Sequence, residues 1–238
     1  MIIELQGGLG NQMFQYAYGR ACCPADEWLY FDTNRLASGN PPRKLQVDAY
    51  VQIPLAPKTL TGHSRLVGYW QNEKYFYPRI RKDFAIPLGP IPMNVMKAAS
   101  HIRSFKESAF IGVRRGDYLW PERADYHGVL PLDYYREAIS LLPDGANLFV
   151  FSDDPTWCRE NMRGELIDVT SPDEKAWDIW LMSLCTHAII ANSTFHWWGA
   201  WLGADTKGTV IAPKNWFKQP VFEGDKLWDI VPERWTKL

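Results

Sequence analysis

Residues 110–118, Phe110-Ile111-Gly112-Val113-Arg114-Arg115-Gly116-Asp117-Tyr118, run from an apolar stretch straight into two arginines, a glycine and an aspartate. The apolar part is long enough only for a buried strand, so the arginines stand at the rim of a sheet. A guanidinium there is a permanently charged fork that fits the planar oxygens of phosphate or carboxylate. Gly116 lets the backbone turn, and Asp117 can accept hydrogen bonds from the guanidiniums and orient them. The plain alternative is an arginine pair salt-bridged at a surface turn. Two further polar clusters weigh against it: Asp153-Asp154, and Asn192-Ser193-Thr194. Arginine, carboxylate and a hydroxyl-bearing helix start are the parts of a nucleotide-diphosphate site. Taken singly, Asp153, Asp154 and Ser193 read as helix caps; jointly they read as a site.

The elements that must position these groups follow from the pattern. Apolar runs at 109–113, 147–152, 165–169, 188–191 and 208–211 read as strands, with helices at 131–142, 155–161, 173–185 and 194–202 between them. Strands alternating with helices predict a parallel, doubly wound α/β sheet, whose ligands bind beyond the carboxyl ends of the strands. The three polar clusters follow three of those strands. The amino-terminal part opens with a strand at 2–5, a glycine-rich turn (Gln6-Gly7-Gly8-Leu9-Gly10-Asn11) and a helix over 12–22. Such an opening can cradle phosphate on backbone N–H groups. A dinucleotide fingerprint is the rival reading, but its third glycine is replaced by Met13. Val67–Phe76 reads as a strand ending in an aromatic–polar knot. There Trp70, Gln71 and Tyr75 could stack on and hydrogen-bond a sugar, packing being an equal explanation of the aromatics. The proline-rich step at 87–92 is the first candidate for an interdomain linker, a loop within one domain being the alternative.

The chain has 238 residues, 46% of them apolar, enough for one large or two small domains with a real core. A net charge of −1 argues against a nucleic-acid partner. No run approaches the roughly 20 apolar residues needed to span a bilayer, so a cytoplasmic or membrane-peripheral protein is expected. The four cysteines lack metal-ligand or disulfide-framework spacing, which fits a reducing compartment. His63, His101, His187 and His196 have no neighbours at ligand spacing, and no Asp-x-Asp pair occurs, so no metal site is read.

The chain resembles the α-1,2-fucosyltransferases of glycosyltransferase family 11. The segments that carry the resemblance are Gly7–Ala17, Gly68–Gln71, Val113–Tyr118, Phe151–Asp154 and Asn192–Ala200, in the family's order over almost the whole length. The resemblance implies a two-lobed GT-B fold: an acceptor-side lobe at 1–107, a GDP-sugar lobe at 108–218, and a tail at 219–238 that could pack back on the first lobe. It implies GDP-fucose as donor, a galactose-containing glycan as acceptor, inversion at the anomeric carbon, and no metal or other cofactor. By motif match Arg114 would hold the β-phosphate, with Arg115 beside it. Gly8, Gly10 and Asn11 would face the donor from the first lobe. Asp153 or Asp154 would read guanine or ribose, and Ser193, Thr194 and Phe195 would line the diphosphate. Asp117 joins Arg114 in the catalytic set. Glu122 is the candidate general base because a related fucosyltransferase family places its base at this offset; Asp125 and His127 share its loop. The family pattern has histidine two residues before the first arginine, where this chain has Gly112. That departure keeps a second reading open, the same fold with another nucleotide sugar. A non-catalytic nucleotide or glycan binder is a third.

Overall fold

The computed structural model describes residues 1–39, 41–57, 59–218, 222–223, 226–227 and 229–238. The chain divides into two compact units, Met1–Gly89 and Pro90–Leu238. The division falls in the proline-rich step, earlier than the boundary expected at 107/108.

The first unit holds a three-stranded parallel sheet among the described residues. Strands β1 (Ile2–Glu4), β2 (Tyr30–Asp32) and β3 (Arg65–Leu66) lie in the order β2-β1-β3. Helix α1 (Leu9–Cys22) begins inside the glycine-rich segment itself, three residues earlier than expected. It buries Met13, Phe14 and Ala17 as the spacing requires, and also Gln12 and Gln15. Those two glutamines tie down the surrounding loops. Gln12 donates to the carbonyls of Gly7 and Lys44, and Gln15 donates to Gly68 O at 3.0 Å. A short helix α2 (Asn34–Ser38) follows β2. The run 67–76 is not the strand expected. Trp70 has a φ of 47°, outside the extended region, and Asn72 N donates back to Trp70 O, which turns the chain.

The second unit is built on a six-stranded parallel sheet, counted among the described residues. Its strands are β4 (Ser108–Val113), β5 (Asn147–Ser152), β6 (Glu165–Leu166), β7 (His187–Ile189), β8 (Val210–Ala212) and β11 (Thr236–Lys237). Their order is β11-β8-β7-β4-β5-β6. Two further short strands, β9 (Phe222–Glu223) and β10 (Lys226–Leu227), pair with each other. Every residue of β4 is buried, as befits a central strand covered on both faces. The helices are α3 (Met93–Arg103), α4 (Pro121–Tyr126), α5 (Leu132–Ser140), α6 (Pro155–Asn161), α7 (Lys175–Leu184) and α8 (Thr194–Leu202). Helix α3 lies within the 1–107 span given to the first lobe, yet it belongs to the second unit: it buries Val95, Ala98, Ala99 and Ile102, and Arg103 lies over the Trp180 ring of α7 at 5.4 Å. Trp197, Trp198 and Trp201 of α8 are core, with Trp197 and Trp201 stacked at 5.7 Å.

The tail, read as one that could pack back on the first lobe, is tied to the second unit in its last ten residues. Its residues 229–238 pack within the second unit: β11 pairs with β8, Trp197 Nε1 donates to Ile230 O at 2.9 Å, and Trp235 Nε1 donates to Asp205 Oδ1 at 2.6 Å. Residues 219–221, 224–225 and 228 of that tail lie outside the described residues.

Candidate functional site

Strands β7, β4 and β5 are neighbours in the sheet, so the residues that follow them meet at one edge. Those residues are Asn192-Ser193, Arg114-Arg115 and Asp153-Asp154. Arg114 Nη1 donates to Asp153 Oδ2 at 2.7 Å, and its Nη2 donates to Asp117 Oδ1. Asp153 Oδ1 accepts from the backbone N–H of Arg115 at 2.8 Å. Arg115 Nε donates to Asp154 Oδ2 at 3.1 Å, and its guanidinium lies over the Trp157 ring at 4.0 Å. Arg114 lies over the Tyr118 ring at 5.0 Å. The three carboxylates thus orient the arginines. Asp153 and Asp154, expected to read guanine or ribose, spend these bonds on Arg114 and Arg115, and Asp154 Oδ1 also caps α6 by accepting from Trp157 N. Gly116 is needed because a Cβ there would stand 2.3 Å from Asp153 Oδ2.

Asp117 has a second partner that the sequence did not reveal. Arg123 Nη1, carried by α4, lies 3.1 Å from its Oδ2. The expected catalytic role of Asp117 is therefore, in geometry, a bridge between two guanidiniums. Glu122, next to Arg123, is exposed in the first turn of α4, and exposed Asp125 pairs with Lys218 at 3.2 Å.

Beyond β7, Ser193 stands at the start of α8 but makes no side-chain cap bond, contrary to the expected capping role. Thr194 and Phe195 are half-buried in the first turn. Asn192 is buried and ties the site together. Its Nδ2 donates to His127 O at 2.8 Å, Gly128 O at 3.3 Å and Trp216 O at 3.1 Å, while its backbone carbonyl accepts from Tyr118 Oη at 3.1 Å. The His127 ring stacks on Tyr118 at 4.2 Å. His196, one turn into α8, is buried with its ring pressed on Gly112. A Cβ at Gly112 would stand 2.4 Å from the ring's Cγ. The position where the family pattern places histidine is thus already filled by an imidazole, supplied by α8.

Among the described residues, three buried side-chain atoms have no hydrogen-bond partner: His127 Nδ1, Asn192 Oδ1 and His196 Nδ1. Buried polar atoms are seldom left unpaired, and here all three surround the start of α8. Burial pushes the His127 imidazole down to about 4, Arg123 and Arg114 adding to the fall and Asp117 opposing it. Burial, then Arg114, pushes His196 down to about 3. Both rings are neutral in the folded protein, whereas the unfolded chain protonates them near the ordinary value of 6.5. Acid therefore favours the unfolded chain. Thermal melting followed from pH 7 to pH 4 is expected to show the midpoint falling below about 6.5, and His196→Asn to flatten that fall. An unchanged midpoint across this window would contradict the assignment of neutral imidazoles.

The remaining expected site residues belong to the first unit. Gly8 has open space where a Cβ would be, and Gly10 is buried within α1. Gly7, at φ +77°, makes the turn, and Asn11 Nδ2 would lie 2.3 Å from its Cβ. Asn11 Oδ1 accepts from Gln71 Nε2 at 2.7 Å. Trp70 stacks on Tyr18 at 4.3 Å, and Tyr75, exposed, meets Tyr18 edge-on at 6.0 Å.

A family model described as "Glycosyl transferase family 11" matches residues 56–238. The chain is 30% identical to an "Alpha-1,2-colitosyltransferase" of Escherichia coli, covering all of this chain and 98% of the relative. It is 27% identical to "O-antigen biosynthesis glycosyltransferase WbnK" of Escherichia coli, over 98% of this chain and 99% of the relative. It is 28% identical to "Galactoside 2-alpha-L-fucosyltransferase Sec1" of Mus musculus, over 86% of this chain and 65% of the relative. With a mixed α/β fold and parallel sheets, the protein is a glycosyltransferase of Rossmann-like build. More narrowly, it belongs to glycosyltransferase family 11 and is an α-1,2-fucosyltransferase-like member of it. Among the described residues no helix is long and apolar enough to cross a membrane.

Proposed function

We propose that the protein is an inverting, metal-independent transferase of GT-B build. It moves L-fucose from GDP-fucose to the 2-hydroxyl of a galactose-containing glycan. The observation that carries this reading is Arg114 at the end of the central strand, aimed by Asp117 and Asp153, in a chain of this family. Cleaving the sugar–phosphate bond leaves negative charge on the departing diphosphate. A guanidinium already fixed in place meets that charge without reorganising. Arg115 and the start of α8, with Ser193, Thr194 and Phe195, supply the rest of the diphosphate's surroundings. The aromatic group Tyr18, Trp70 and Tyr75, with Gln71 held by Asn11, suits a pyranose face and its hydroxyls.

In the transfer step the acceptor oxygen forms a bond to the anomeric carbon. The bond from that carbon to the β-phosphate oxygen breaks with its electron pair, and the acceptor proton passes to a base. Glu122 is assigned that proton as an exposed carboxylate in the first turn of α4, after the arginines, whereas Asp125, also exposed, pairs with Lys218. A second reading keeps the fold and mechanism but takes a different GDP-sugar. It is favoured by the 30% identical relative named as a colitosyltransferase.

The test is a transfer assay with GDP-fucose, GDP-colitose, GDP-mannose and UDP-sugars, with and without EDTA. GDP-fucose should lead, and chelator should leave the rate unchanged. Glu122→Gln should retain GDP binding and lose transfer. Preference for a UDP-sugar, or recovery only with added divalent metal, would overturn the reading.

A further inference from the structure

The three carboxylates around the proposed donor site (Asp117, Asp153, Asp154) outnumber the two arginines of the strand end (Arg114, Arg115). Left so, the cluster would carry net negative charge and repel a diphosphate, since like charges at this range cost free energy. Arg123 removes the deficit. It reaches the site from α4, a helix with no apolar periodicity that is opened by Pro121, and its Nη1 lies 3.1 Å from Asp117 Oδ2.

The geometry is as telling as the charge. Asp117 is covered, its side chain only 10% exposed, with one oxygen on Arg114 and the other on Arg123. The side chains of Arg114 and Arg123 stay 25% and 27% exposed on either side of it. A covered carboxylate flanked by two partly exposed arginine side chains holds two forks one carboxylate's width apart. That spacing suits two phosphates joined by a single oxygen. The half-buried His127 ring, stacked on Tyr118, is held neutral by desolvation first and then by Arg123 and Arg114, so it adds no competing cation.

Building on the GDP-sugar reading above, we infer that Arg123 is a further anion-binding residue of the donor site, beside the two arginines of the strand end. It contacts the diphosphate beside Arg114, and Asp117 is the positioning bridge that sets the two. Arg123 increases donor affinity, whereas Arg114 also meets the charge that develops as the bond breaks.

The experiment is calorimetric titration of the full chain with GDP, paired with steady-state kinetics, for wild type, Arg123→Gln, Arg123→Lys and Arg136→Gln. Arg136 forms an exposed pair with Asp133 at 2.9 Å and controls for lost charge alone. Arg123→Gln should weaken GDP binding and raise donor KM, each by about tenfold, with kcat and acceptor KM little changed. Arg123→Lys, which keeps charge but loses the fork, should fall between, and Arg136→Gln should match wild type. GDP affinity and donor KM unchanged in Arg123→Gln would overturn the role of Arg123 alone. Should Arg123→Gln fail to fold, as judged by circular dichroism, wild-type GDP affinity in folded Arg123→Lys would overturn it equally. A wild-type protein that binds no GDP would overturn the donor reading itself.

Discussion

Arg114→Ala should lower kcat/KM for sugar transfer by about 10²–10³-fold, the scale seen when one preorganised donor to a developing negative charge is removed. The expectation rests on how the side chain is held. Asp153 takes one terminal nitrogen and Asp117 the other, and the Tyr118 ring lies beneath at 5.0 Å. Little conformational freedom is left to lose when substrate binds. Arg114→Lys keeps a positive charge but cannot bond both carboxylates in one plane, so it should recover only a small part of the rate. Measured by single-turnover transfer, the loss should fall on the chemical step as well as on binding. An alanine variant within a few-fold of wild type would remove Arg114 from the mechanism.

The second large effect concerns Gly112→His, which places at this position the residue that the family pattern has there. In this chain the space is taken, because a Cβ would stand 2.4 Å from His196 Cγ. Overpacking a buried strand against a buried ring costs about 1–3 kcal/mol or more, and this strand carries Arg114. The single variant should melt several degrees lower and lose most activity. Gly112→His combined with His196→Gly moves the imidazole from α8 to β4 and should restore much of both. The comparison is made by thermal melting and by donor kcat/KM on the two single variants and the double. Additive losses, with no recovery in the double variant, would show that the two positions are not coupled.

The parts of the fold carried by local pattern were legible in the chain. Strand 147–152 and helices 155–161 and 194–202 lie where period and breakers put them. The three polar strand ends do meet, because β7, β4 and β5 are adjacent. The features without a local signal depend on contacts between residues far apart in the chain. The aromatic run at 67–76 looked like a strand, yet Trp70 leaves the extended region to stack on Tyr18. Helix α3 falls within the 1–107 span that the resemblance gives to the first lobe, and its apolar face carries no mark of the α7 residues it meets. Arg123 sits in a polar six-residue helix without periodicity, and its partnership with Asp117 has no local signal. The fit of His196 on Gly112 joins a helix to a strand and shows in neither. Asp117 reads in the sequence as an arginine holder and is one; Asp153 and Asp154 read as ligand contacts, and their bonds to Arg114 and Arg115 join two strand ends and leave no local signal.

A crystal structure of the full chain with GDP bound bears most directly on whether Arg114 serves a diphosphate. The β-phosphate should lie within hydrogen-bonding distance of the Arg114 guanidinium, about 3 Å, beyond the ends of β4, β5 and β7. A nucleotide bound elsewhere, with Arg114 engaged only by Asp117 and Asp153, would contradict it.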